Sequence, residues 1–171
     1  QGGDKELHIL SQKLDGSDLE TFEISNGDVS KAYGQVSEDL VQAMKLAAQR
    51  IKNFHESCMP KKWMDPTEGY GELIIPVERV GTYIPGGTAP LFSTILMTAI
   101  PAKVAGVNEI IACTPTPKNR PVNPAILVAS DIAGVNRIFR LGGTQAVAAM
   151  AYGTETIPKV NMVCGPGNIF V

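Results

Sequence analysis

Three short segments could approach a ligand with bare backbone: Pro85-Gly86-Gly87-Thr88, Gly142-Gly143-Thr144 and Gly165-Pro166-Gly167-Asn168. Each follows a run of strand-forming residues, and each leads toward a run with helical spacing or toward the end of the chain. Backbone without side chains can come close to a ligand there, and N–H groups at the positive end of a following helix suit an anionic group such as a pyrophosphate. The same glycines also serve a plain tight turn, and for Pro85-Gly86-Gly87-Thr88 alone the two readings weigh equally. Tyr83 ends the run before the first turn, whereas Gln145 and Asn168 stand just after the other two. In an open α/β sheet these positions share the crevice outside the carboxyl ends of the strands. Tyr83, Gln145 and Asn168 are therefore the candidate cofactor-binding residues, an aromatic platform and two amides suited to a nicotinamide or a ribose. Taken singly, each reads as a structural residue.

Other chemistry is missing. The third glycine of a G-x-G-x-x-G fingerprint would fall on Phe170, and a ribose-gripping acid would fall near Cys113 and Thr114. A dinucleotide, if bound, binds in another manner. His8 and His55 are the only histidines, neither lies in a metal motif, and Cys58, Cys113 and Cys164 stand far apart. No metal site and no catalytic residue can be assigned, since no nucleophile elbow or phosphate-binding G-x-x-x-x-G-K loop is present. His55 reads as a favourable charge at a helix end.

The elements that must carry these loops follow from periodicity. Leu7, Leu10 and Leu14 fit one face of a helix from Asp4, with Asp4 as its cap and Gly16 after its end. Thr21 to Ile24 suits a short strand, Ser25 to Asp28 a turn or the cap of a brief helix through Tyr33. Ser37 opens an amphipathic helix whose buried face is Leu40, Met44, Ala47, Ile51 and Phe54. Cys58 to Gly71, without periodicity, reads as a connection. From there strands at Arg79 to Ile84, Glu109 to Thr114, Arg137 to Leu141 and Val160 to Cys164 alternate with helices starting near Pro90, Pro124 and Thr144. That alternation predicts a doubly wound, mostly parallel, Rossmann-like α/β sheet. We expect residues 1–78 to be the mostly helical part of an incomplete first domain. Residues 79–171 should form a dinucleotide-binding-like domain, truncated where the last helix begins.

With 44% hydrophobic and 19% charged residues, the chain has the composition of a globular protein. Its net charge of −2 offers no field for nucleic acid or an anionic membrane, and no apolar stretch reaches the length of a span. Widely spaced cysteines fit a reduced, cytoplasmic setting.

The motifs also resemble a family. Val80-Gly81-Thr82-Tyr83-Ile84-Pro85-Gly86-Gly87-Thr88-Ala89-Pro90, Ala99-Ile100-Pro101-Ala102, Gly142-Gly143-Thr144-Gln145-Ala146, Tyr152-Gly153-Thr154-Glu155 and Gly165-Pro166-Gly167-Asn168 resemble histidinol dehydrogenase in order and spacing. Gly3-Asp4, Leu14-Asp15-Gly16 and Phe54-His55-Glu56 extend the likeness toward the start. Thr144 departs from the alanine more usual there. The resemblance implies an NAD-dependent, zinc-containing, homodimeric enzyme that oxidises L-histidinol through the aldehyde to L-histidine, in histidine biosynthesis. It places NAD contacts on Tyr83, Gln145 and Asn168, and puts the zinc ligands and the acid/base pair beyond Val171. As an isolated piece the chain is expected to be inactive. A relative acting on another small alcohol, or a binding or assembly module using the amphipathic helix, remains open at this point.

Overall fold

The computed structural model describes residues 2–86, 91–116, 118 and 120–167. Its centre is a four-stranded parallel sheet of β3 (Arg79–Tyr83), β4 (Glu109–Thr114), β5 (Arg137–Arg140) and β6 (Met162–Cys164), in the order β5-β4-β3-β6. Apolar runs such as Glu109-Ile110-Ile111-Ala112-Cys113-Thr114 form strands because both their faces are covered. On one face Val80, Ile110, Ala112 and Ile138 meet α4 (Phe92–Val104) and α5 (Pro124–Ala133). On the other, Ile111, Cys113 and Phe139 meet Ala146, Ala149 and Met150 of α6 (Gly143–Tyr152) and Leu7 of α1 (Gly3–Leu10). This is the doubly wound sheet expected from the alternation of elements.

Local sequence sets most boundaries. Asn123 caps α5 by accepting from the Ala125 N–H at 2.9 Å, Pro124 takes the first turn, and Gly134 ends the helix in the left-handed region. Ser25 caps α2 (Asn26–Ala32), and Ser37 caps α3 (Glu38–Ser57). The helix expected near Pro90 begins, within the described residues, at Phe92.

Three expectations are corrected. Asp4 does not cap α1, which starts at Gly3; its N–H donates to Glu155 and its carboxylate accepts from the Thr156 hydroxyl. The helical run itself extends past Leu14 as expected, its last part a wider turn, Ser11–Asp15, and Gly16 at φ 62° follows its end. Phe54, assigned to the buried face of α3, is 63% exposed, while Val41 is buried beside Met44. The supposed connection Cys58 to Gly71 contains most of a hairpin, β1 (Trp63–Asp65) against β2 (Tyr70–Glu72), with Trp63 edge-on to Tyr70. Cross-strand pairing of aromatics can hold so short a ribbon, with no helical period or long alternation to announce it.

Part of the first 78 residues packs directly on the sheet. Phe22 to Ile24 runs antiparallel to β5, with Ile24 N–H donating to Ile138 at 2.8 Å and Arg140 N–H to Phe22 at 2.7 Å. Glu23 grips Arg137 through two bonds of 2.8 and 2.7 Å. This segment shields a sheet edge whose polar groups would otherwise be open to pairing. Helices α2 and α3 share a core with α4 and α5.

Candidate functional site

Strand order fixes where a ligand crevice lies. The chain passes outward from β3 to β4 to β5 with α4 and α5 on one face, then returns by α6 across the other face to β6, on the far side of β3. The reversal opens the sheet between the carboxyl ends of β3 and β6, the place where doubly wound sheets bind ligands.

Tyr83, the last residue of β3, reaches this end from below. The residue is only 5% exposed, in the core with Ile111 and Phe139, so it is no open platform; its hydroxyl meets the start of α6 instead. The hydroxyl accepts from the Gly143 N–H at 3.1 Å and still has its own proton to donate. Burial foremost, with the Asp15 charge adding to it, holds the phenol above its ordinary range despite the Gly143 bond, so that proton is retained at neutral pH. Gly143 takes φ 64°, a conformation that side chains avoid, and thereby turns its N–H toward Tyr83.

Gln145, in the first turn of α6, is equally buried at 5% exposure. Its Nε2 donates to Oδ2 of Asp15 at 3.1 Å. Asp15, at the end of the wide turn after α1, was not singled out from the sequence. The signal available was its place in Leu14-Asp15-Gly16; nothing local says that Gly16 turns it toward a helix 130 residues away. Burial raises the Asp15 carboxyl above its usual range, partly offset by the Gln145 bond. Tyr83 and Gln145 are thus brought to the two sides of Gly143, while Asn168 lies outside the described residues.

The rest of the rim is sparse. Gly86 is forced by packing, because a Cβ there would come 2.5 Å from Pro115. Beyond β3, α4 runs from Phe92 and, among the described residues, Leu91 gives it no side-chain cap, so the positive end of this 13-residue helix presents backbone N–H groups. At the end of β4, Cys113 and Thr114 are buried, and burial pushes the Cys113 thiol up to about 12. The buried Thr116 Oγ1, just past that strand, has no partner among the described residues. Elsewhere His8 stacks on Phe22 at 4.4 Å, and His55 lies in the last turn of α3. Among the described residues no three His, Cys, Asp or Glu side chains gather as a metal set, and no helix is long and apolar enough to cross a membrane. The assembly offers hydrogen-bond donors, an acceptor and a helix terminus: the means to hold a polar ligand.

The family model for histidinol dehydrogenase matches residues 1–171. A histidinol dehydrogenase of Methanothermobacter thermautotrophicus is 47% identical over 99% of this chain, which covers 41% of that protein. Histidinol dehydrogenase 2 of Trichormus variabilis is 46% identical over 99% of the chain and 40% of its own length. The crystal structure of histidinol dehydrogenase from Elizabethkingia anophelis superposes with a TM-score of 0.93 at 42% identity, over 98% of this chain and 40% of that one. The chain therefore spans about two fifths of the length of these relatives.

Proposed function

This chain belongs to the histidinol dehydrogenase family, and we propose that it is the cofactor-holding part of a longer protein that oxidises L-histidinol to L-histidine with NAD. One observation carries the cofactor role: Tyr83 and Gln145, picked from strand-end positions, converge on Gly143 at the start of α6, beside the β3/β6 switch point. The Tyr83 hydroxyl can donate and the Gln145 amide can accept, while the N-terminal end of α4 suits a phosphate. These groups fit a dinucleotide, which when bound supplies the hydride acceptor. The chain's own residues bind and orient it; they furnish no acid/base pair.

Zinc is a different matter. The described residues do not fit it, having no cluster of three metal-ligating side chains, so no step is derived through a metal. We read the metal ligands and the acid/base residues as belonging to sequence beyond this chain. In that reading residues 1–78 belong to a domain completed elsewhere, residues 79–171 form the dinucleotide-binding domain, and the parent protein is a cytoplasmic homodimer.

The test is calorimetric titration of NAD⁺ into the parent protein and into Tyr83→Phe, Gln145→Ala and Asn168→Ala variants. Weaker binding in each supports the assignment; three variants that bind like the unaltered protein would refute it. The 171-residue chain alone, given zinc, NAD⁺ and histidinol, should form no NADH above background.

A further inference from the structure

Gln145 has a partner that fixes which end of its amide faces outward. An amide's oxygen and nitrogen have nearly the same shape, and either can occupy one position unless a neighbour discriminates. Asp15 discriminates: a carboxylate only accepts, so at 3.1 Å only Nε2 can face it. The oxygen must then turn the other way. It lies beside Gly143, where an added Cβ would sit 2.6 Å from Oε1, closer than to Cδ or Nε2. The absence of a side chain at 143 leaves that room, and the same residue's N–H is held by Tyr83.

We propose that Asp15 is a positioning residue for the cofactor: it locks the Gln145 amide with its oxygen over the Gly142-Gly143 turn, so that the site presents an acceptor to a hydroxyl or amide N–H of the dinucleotide. The inference rests on the reading of NAD as the ligand, and it adds a residue from a separate, N-terminal element to that site. Asp15 is not explained by fold stability. It is half-buried, and burial disfavours its charged form, so an ionised Asp15 costs folding free energy that a neutral isostere would spare. Asparagine at 15 keeps the shape but can donate, which lets the Gln145 amide reverse.

The experiment titrates NAD⁺ calorimetrically into the parent protein and its Asp15→Asn, Asp15→Glu, Gln145→Ala and Asp15→Asn/Gln145→Ala variants, with thermal unfolding of each. Asp15→Asn should weaken binding about tenfold, the worth of one misdirected hydrogen bond, with no fall in Tm. The double variant should bind no worse than Gln145→Ala, because Asp15 acts only through that side chain. Asp15→Glu, which keeps an acceptor-only group, should retain more affinity than the isosteric Asp15→Asn. Wild-type affinity in Asp15→Asn alongside a weakened Gln145→Ala would overturn the inference and leave the NAD site standing. Losses that add in the double variant, or a lowered Tm in Asp15→Asn, would assign Asp15 a merely structural part. No binding by the unaltered protein would remove the NAD reading and this inference with it.

Discussion

Replacing Gly165 by alanine separates two costs that usually arrive together. Gly165 joins β6 to the crevice with φ 147°, in a region that is essentially glycine's alone, and forcing a side chain there costs roughly 1–3 kcal/mol. A Cβ would also press into the Tyr83 backbone, 3.0 Å from its carbonyl carbon, with the carbonyl oxygen nearer still. That neighbour is backbone of β3, which is paired to β6, and cannot swing aside, so overpacking adds about 1–3 kcal/mol. The expected loss is about 4 kcal/mol, a large share of the roughly 5–15 kcal/mol that keeps a domain folded. Two controls isolate the terms. Gly69 has φ 77° but nothing within 4 Å of an added Cβ, so Gly69→Ala should cost only backbone strain, about 1–2 kcal/mol. Gly34 has neither a positive φ nor a neighbour within 4 Å, and Gly34→Ala should be neutral or slightly stabilising. Urea unfolding followed by far-ultraviolet circular dichroism reads all three as shifts in midpoint. If Gly165→Ala loses no more than Gly69→Ala, the close approach of β6 to Tyr83 is wrong. A loss under about 1 kcal/mol would refute the strain argument as well.

Two further outcomes test the packing around the sheet. The Arg137 guanidinium beside Glu23 holds that carboxyl below its ordinary range, so the pair contributes stability above the unfolded carboxylate range and loses it as pH falls through the folded value. Both side chains are about one-third exposed, which limits the worth of the pair to about 1 kcal/mol. Glu23→Gln should therefore lower stability by about that much at neutral pH, with the difference vanishing in strong acid; a deficit that persists at low pH would contradict the ion-pair account. Cys58 is exposed whereas Cys113 is buried, its thiol pushed up to about 12 by that burial. A disulfide reagent should modify Cys58 at once and reach Cys113 only on unfolding, which mass spectrometry of the labelled peptides would read.

What the sequence determined about this protein is what short-range chemistry can specify. The apolar strand Glu109–Thr114, the Asn123-Pro124 start and Gly134 stop of α5, and the serine caps of α2 and α3 each follow from residues within a few positions. The alternation of such elements was enough to imply the doubly wound sheet, and the positions of Tyr83 at the end of one strand and Gln145 just after another were enough to nominate them. Where reading stopped was wherever the partner lay far along the chain. The Phe22 to Ile24 segment has meaning only against β5, Asp4 leaves its capping role for Glu155 and Thr156, and Phe54 is exposed because the neighbours of α3 cover a different part of its surface. Only the tertiary structure could turn Tyr83 from a platform into a buried ring whose hydroxyl meets Gly143, and only it could bring Asp15 to Gln145. Periodicity records which side of a residue is wet or dry; it carries no information about which distant polar group will satisfy it, because a hydrogen bond is chosen by position in space rather than by separation along the chain.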